Sequence, residues 1–124
     1  HGWKGNPVED IVLENVKVTI DKKTHWQGGW YDPRPGSVFK VNAPKPASPE
    51  EELNQRKGLY KHNTVGIFLE NAKDVTLRDV QVKWGENRPE YFGAALETHN
   101  VRGLILDNFK GAAAHKALPD KIIE

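Results

Sequence analysis

Three stretches of this chain, Ile11–Val18, Val75–Val82 and Leu104–Gly111, carry the same pattern of apolar and polar positions, and in each the pattern slips by one step at the same place. A flat strand keeps its side chains in strict period two. Ile11, Leu13, Val16, Val18 and Ile20 can therefore face one core only if the backbone turns a corner at Glu14-Asn15. The residue at the slip is Asn15, Asp79 or Asn108, and Asn and Asp tolerate left-handed backbone angles better than other non-glycine residues. The pattern predicts strands broken by tight corners, with these three residues stacked above one another.

The second and third copies extend further back. Glu70-Asn71 aligns with His99-Asn100, and Ile67 and Leu69 align with Leu96 and Thr98, all 29 positions apart. Self-similarity at a fixed period of this size predicts a solenoid, and corners between strands specify its kind: an all-β, right-handed parallel β-helix fragment of about three to four coils. From Ile11 to Val75 the offset is 64, which reads as one period plus an insertion. Residues 24–62 carry almost no strand pattern and hold five of the eight prolines, so a long loop insertion is expected there. The chain is then a single domain, residues 1–124, with the long loop at 24–62.

Composition narrows the partners. A formal net charge of +1 and the absence of a basic run interleaved with aromatics argue against nucleic acid. No apolar run is long enough to span a bilayer as a helix, so no membrane partner is expected. The chain has no cysteine, which excludes disulfides and thiolate metal sites but not an oxidising compartment. His25, His62, His99 and His115 show no i, i+4 pairing, so no metal or other cofactor is expected.

The run Gly2-Trp-Lys-Gly-Asn-Pro-Val-Glu-Asp-Ile-Val-Leu-Glu-Asn-Val16 resembles a segment of late coils in polygalacturonase-like β-helix enzymes, glycoside hydrolase family 28 and its bacterial relatives. The resemblance continues in Tyr31-Asp-Pro-Arg-Pro35, Val65-Gly-Ile-Phe-Leu-Glu-Asn-Ala72 and Trp84-Gly-Glu-Asn-Arg-Pro-Glu-Tyr-Phe-Gly93, touching most of the chain outside 42–57. It implies part of an extracellular or periplasmic enzyme that degrades pectin-like or other acidic polysaccharides. The family's catalytic signature, Asn-x-Asp and Asp-Asp motifs with Gly-His-Gly and Arg-Ile-Lys, is missing from this sequence. The chain is accordingly expected to be the C-terminal coils of a longer hydrolase, without catalytic residues of its own. It would supply scaffold and outer substrate subsites. The alternatives are a non-catalytic carbohydrate-binding or adhesive β-solenoid module, and a fragment of a polysaccharide lyase, because the architecture is shared across chemistries.

Carboxylate chemistry gives little to work with. Glycoside hydrolysis needs two carboxyl groups about 5 to 9.5 Å apart across the scissile bond. The aligned acids Glu14 and Asp107 read as corner residues, and Glu50, Glu51 and Glu52 as a solvated loop or short helix start. Aromatic residues are the stronger candidates, because sugar rings stack their C–H faces on flat side chains while Asp and Arg hydrogen-bond hydroxyls or a uronate carboxylate. The substrate-binding candidates are Trp26, Trp30, Tyr31, Asp32 and Arg34 in one cluster, with Gly28 and Gly29 allowing a turn between the tryptophans, and Arg88 and Tyr91 in a second. The expected partner is a polysaccharide or oligosaccharide.

The tail Ala112-Ala-Ala-His-Lys-Ala-Leu118 is helix-prone and stopped by Pro119, so residues 112–124 are expected to cap the last coil. Nothing before Ile11 resembles a cap, which predicts self-association through the N-terminal coil.

Overall fold

The computed structural model describes residues 1–32 and 45–124. In chain order the elements are β1 (Val8–Glu14), β2 (Lys17–Ile20), β3 (Trp30–Tyr31), α1 (Pro49–Arg56), β4 (Tyr60–Lys61), β5 (Ile67–Arg78), β6 (Gln81–Trp84), β7 (Leu96–Asp107) and β8 (Lys121–Ile123). Strands β1, β5, β7 and β8 form a parallel sheet in that order; β2 and β6 form a parallel pair, and β3 and β4 an antiparallel one.

Left-handed residues decide where each strand turns. Asn15, Asp79 and Asn108 all adopt positive φ, at 56°, 51° and 56°, immediately after β1, β5 and β7. Two more columns of such residues bend β5 and β7 internally: Asn71 and Asn100 form one, and Asp74 and Gly103, aligned with Asp10 of β1, form the other. The corner side chains bind one another. Asn100 donates to Asn71 at 2.7 Å, Asn71 in turn donates to the Gly2 carbonyl at 3.1 Å, and Asn108 donates to Asp79 at 2.6 Å. Each link satisfies polar atoms at a bend where the regular ladder is interrupted.

The apolar rows stack in register: Ile11 on Val75 on Leu104, and Leu13 on Leu77 on Leu106. In these two rows only the middle rung is sealed. Val75, Leu77 and Val80 are fully buried together with Leu96 and Ala72, whereas Ile11, Leu13, Val16, Leu104, Leu106 and Phe109 pack against them half-exposed. On the outer edge Arg78 bridges Asp107 at 2.9 Å and Glu14 at 3.2 Å, an exposed ion triplet of small energetic weight.

The expectation of an all-β, right-handed parallel β-helix of three to four coils with one long loop is corrected by this architecture. The sheets are mixed, a helix lies inside the region expected to be loop, and only β5 and β7, at twelve residues each, run through two internal corners as complete paired rungs. A repeat at fixed offset determines which residues pair between neighbouring strands, not how many closed turns follow. Helix α1 forms because Ser48 caps it, accepting from the Glu51 N–H at 3.2 Å, while the Glu51 carboxylate accepts from the Ala47 N–H at 2.8 Å. The tail also departs from its helical propensity. Asp120 accepts from the Ala113 N–H at 2.8 Å, residues 112–120 form turns, and Lys121–Ile123 joins the sheet as β8 beside Leu96–Thr98.

Replacing Leu77 by Ala should lower unfolding free energy by about 2–5 kcal/mol, the range for a sealed leucine. The same truncation at Val12, which is 59% exposed on the same sheet, should cost within about 0.5 kcal/mol. Denaturant titration of both variants checks the placement of the core.

Candidate functional site

A cleft of about 660 Å³ opens where the insertion meets the sheet. Four segments wall it. The β3–β4 pair contributes Trp30 from one strand and Lys61 from the other, which face each other in the antiparallel register. The ladder continues past β4 through the His62 N–H, which donates to the Gly29 carbonyl at 3.0 Å, so His62 and Asn63 join the same wall. The start of α1 supplies Ser48, Glu50 and Glu51, and Lys61 fastens that helix by an ion pair to Glu51 at 3.3 Å. The β6–β7 connection adds Glu90 and Tyr91, and the parallel sheet adds Glu97 and its register partner Ile122.

Tyr91 is held by glycines. A Cβ on Gly28 would stand 2.5 Å from the Tyr91 ring, and one on Gly29 would stand 3.1 Å from its Cβ. The pair therefore serves as the surface against which the ring packs, and Gly29, at φ 82°, also makes the turn into β3. On the other side of the chain, the Thr64 N–H donates to the Tyr91 carbonyl at 2.8 Å and the Gly93 N–H to the Thr64 carbonyl at 2.8 Å, which draws His62 and Tyr91 to one place.

At the base of the cleft one carboxylate is shared by two imidazoles. Glu97 Oε1 lies 2.8 Å from His62 Nε2 and 2.7 Å from His99 Nε2, and His99 Nδ1 lies 3.0 Å from Glu124 Oε2. His62 Nδ1 faces the Asn63 carbonyl at 2.7 Å, so both of its ring nitrogens meet acceptors, the arrangement of a doubly protonated imidazolium. Burial opposes that charge, but the hydrogen bond and charge of Glu97 outweigh it and His62 titrates above its ordinary value of 6.5. Burial likewise opposes ionisation of Glu97, yet the hydrogen bonds from His62 and His99 prevail and hold its carboxyl below the usual 4.5. Phe68 sits between the histidines, 5.9 Å from the ring of His62 and 5.7 Å from that of His99.

The aromatic candidates divide. Trp30 and Tyr91 line the cleft. Tyr31 packs behind it, its ring 5.9 Å from His62 and 5.1 Å from Phe68, and its hydroxyl is pushed up to about 12 by burial and by the charges of Glu70, Asp32 and Glu97. Asp32 is exposed beside Tyr31 and does not line the cleft. Trp26 is 71% exposed, its ring 4.5 Å from that of His25, and stands apart from the cleft. Arg88 spends its guanidinium on the carbonyls of Gly85 at 2.8 Å and of Trp84 and Ala114 at 3.3 Å, tying the β6 end to the C-terminal turns. Arg34 lies outside the described residues.

His62, Glu97 and His99 were not among the sequence candidates. Part of the signal was present: Glu97 and His99 alternate with the sealed Leu96 and Thr98, so both point to the opposite face of β7. His62 had no such signal, because it reaches Glu97 only through the two-residue β3–β4 pair. Among the described residues no group of three or more acidic or imidazole ligands is arranged to hold a metal ion. No family model, curated protein or solved structure matches this chain.

The His62–Glu97 pair has a calculable pH signature. A raised histidine stabilises fully below its unfolded value and loses that contribution as pH climbs through the folded one; a depressed carboxyl stabilises above its unfolded value and loses it as pH falls. Wild type should therefore exceed Glu97→Gln in stability most between about pH 4.5 and 6.5, with the margin shrinking on both sides. Thermal melts of both proteins across that range check the sign on each flank.

Proposed function

We propose that this chain is a glycan-binding, non-catalytic part of an extracellular or periplasmic polysaccharide-degrading glycoside hydrolase, and that the cleft between the insertion and the sheet takes the sugar chain. The observation that carries the reading is the convergence of Trp30 and Tyr91 on one cleft whose other walls are lined by side chains able to hydrogen-bond hydroxyls, Asn63, Ser48 and Glu97 among them. A flat aromatic ring offers a sugar its stacking face, and fixed polar groups at the rim select orientation. The motif resemblance to polygalacturonase-like enzymes supports the class of polymer-acting protein.

The innermost acid of the cleft is poorly suited to act as the general acid of cleavage. Glycoside hydrolysis needs one carboxyl that arrives protonated and a second across the bond. Glu97 is kept ionised by two imidazoles, the reverse of what a general acid requires.

Calorimetric titration against a panel of neutral, acidic and amino-sugar oligosaccharides tests the proposal. Trp30→Ala and Tyr91→Ala should each weaken binding by about tenfold or more, roughly 1.4 kcal/mol, while Trp26→Ala should leave affinity within about twofold. No release of reducing ends should accompany binding. Failure of every oligosaccharide to bind at about millimolar concentration would remove the reading.

A further inference from the structure

The described lining of the cleft is more acidic than the chain that builds it. The protein as a whole carries a formal charge of +1, yet the cleft is lined by Glu50, Glu51, Glu90 and Glu97 against Lys61 and His62. Those two cations are already committed, Lys61 to Glu51 at 3.3 Å and His62 to Glu97 at 2.8 Å. Glu50 and Glu90 are exposed, form no ion pair among the described residues, and reach the cleft from different walls, the first turn of α1 and the β6–β7 connection. The α1 N-terminus offsets part of this charge, by about half a unit positive, and Glu50 and Glu51 stand in its first turn. In the described lining a surplus of more than one negative charge remains beside two aromatic rings.

We propose that the sugar chain taken by this cleft bears free amino groups, a deacetylated hexosamine polymer, in place of the uronates that the sequence resemblance implies. The inference rests on the glycan reading given above and specifies its substrate. An ammonium on the sugar ring gains charge-assisted hydrogen bonds from carboxylates on either side, and the electron-rich faces of Trp30 and Tyr91 attract the same cation while stacking on the ring that carries it. A uronate in that place meets two uncompensated carboxylates and no uncommitted lysine of the described lining. Pairing of Lys61 and His62 inside the lining preserves the surplus, because neither cation is available to neutralise Glu50 or Glu90 without breaking an existing contact.

Four probes separate the outcomes: a β-1,4-linked glucosamine oligomer, its fully N-acetylated counterpart, an oligogalacturonate and an oligolysine of equal charge. The glucosamine oligomer should bind about tenfold or more tighter than the other three, and the preference should fall as ionic strength rises to about 0.5 M. Glu50→Gln combined with Glu90→Gln should erase the preference, bringing the glucosamine affinity down to that of the N-acetylated oligomer, with circular dichroism checking that the double variant stays folded. Equal or tighter binding of the N-acetylated or uronate oligomer, or a preference that survives the double variant, overturns the amino-sugar inference and leaves the glycan reading in place. Oligolysine binding as tightly as the amino sugar also overturns it, since charge alone would then suffice. Binding by none of the three oligosaccharides removes both.

Discussion

Everything in this molecule hangs on a few residues held in left-handed backbone geometry. Side chains of a continuous strand alternate between two faces, so a chain that keeps Leu77 and Val80 in the same interior must spend one residue at Asp79 turning between them. That residue has to accept a conformation that costs an ordinary L-amino acid about 1–2 kcal/mol, and Asn or Asp lowers the cost by bonding locally. The columns Asn71 on Asn100 and Asp79 on Asn108 then convert a local backbone requirement into a link between strands. Register, interior and corner are one constraint seen at three scales.

The cleft depends on that constraint at one remove. Because β5 and β7 pair in exact register, Phe68 and Glu97 are neighbours, as are Glu70 and His99. This brings an ionisable pair and an aromatic ring to the same outer face. The insertion then closes over them, with Gly28 and Gly29 seated on Tyr91 and His62 reaching Glu97. Sheet geometry thus supplies the base of the site, and a segment with almost no repeating pattern supplies its rim.

Legibility in the sequence followed the same division. The corners at Asn15, Asp79 and Asn108 could be read directly, because few residue types tolerate that geometry and the phase of the apolar residues shifts there. The pairing of Ile67 with Leu96 was equally readable from the repeat. What could not be read was the extent of the stack, since periodicity describes neighbours and says nothing of closure; hence the overstatement of a multi-coil solenoid. Helix α1 was only half visible: Ser48 and the three glutamates were recognised as a possible helix start, but the surrounding prolines argued for loop. Alanines at 112–114 promised a helix, and one carboxylate, Asp120, together with an open sheet edge redirected the chain. In the site, the aromatic chemistry of the sequence pointed to Trp30 and Tyr91, which line the cleft, whereas nothing in the sequence shows the three carbonyls that converge on the Arg88 guanidinium.

The strand order has a further meaning for how the molecule breathes. From Ala72 to Arg78 β5 is flanked by β1 on one side and β7 on the other, and its Val75 and Leu77 are sealed; β1 lies at the sheet's margin with its apolar row half in solvent. Local opening draws on the weakest-held segments, so amide protons of β1 trade with solvent through small excursions, while those of Val75 to Leu77 wait for the whole domain to come apart. Glu97 follows the sealed Leu96 of this slow centre in the chain, which sets the charged base of the cleft on the part of the sheet last to open.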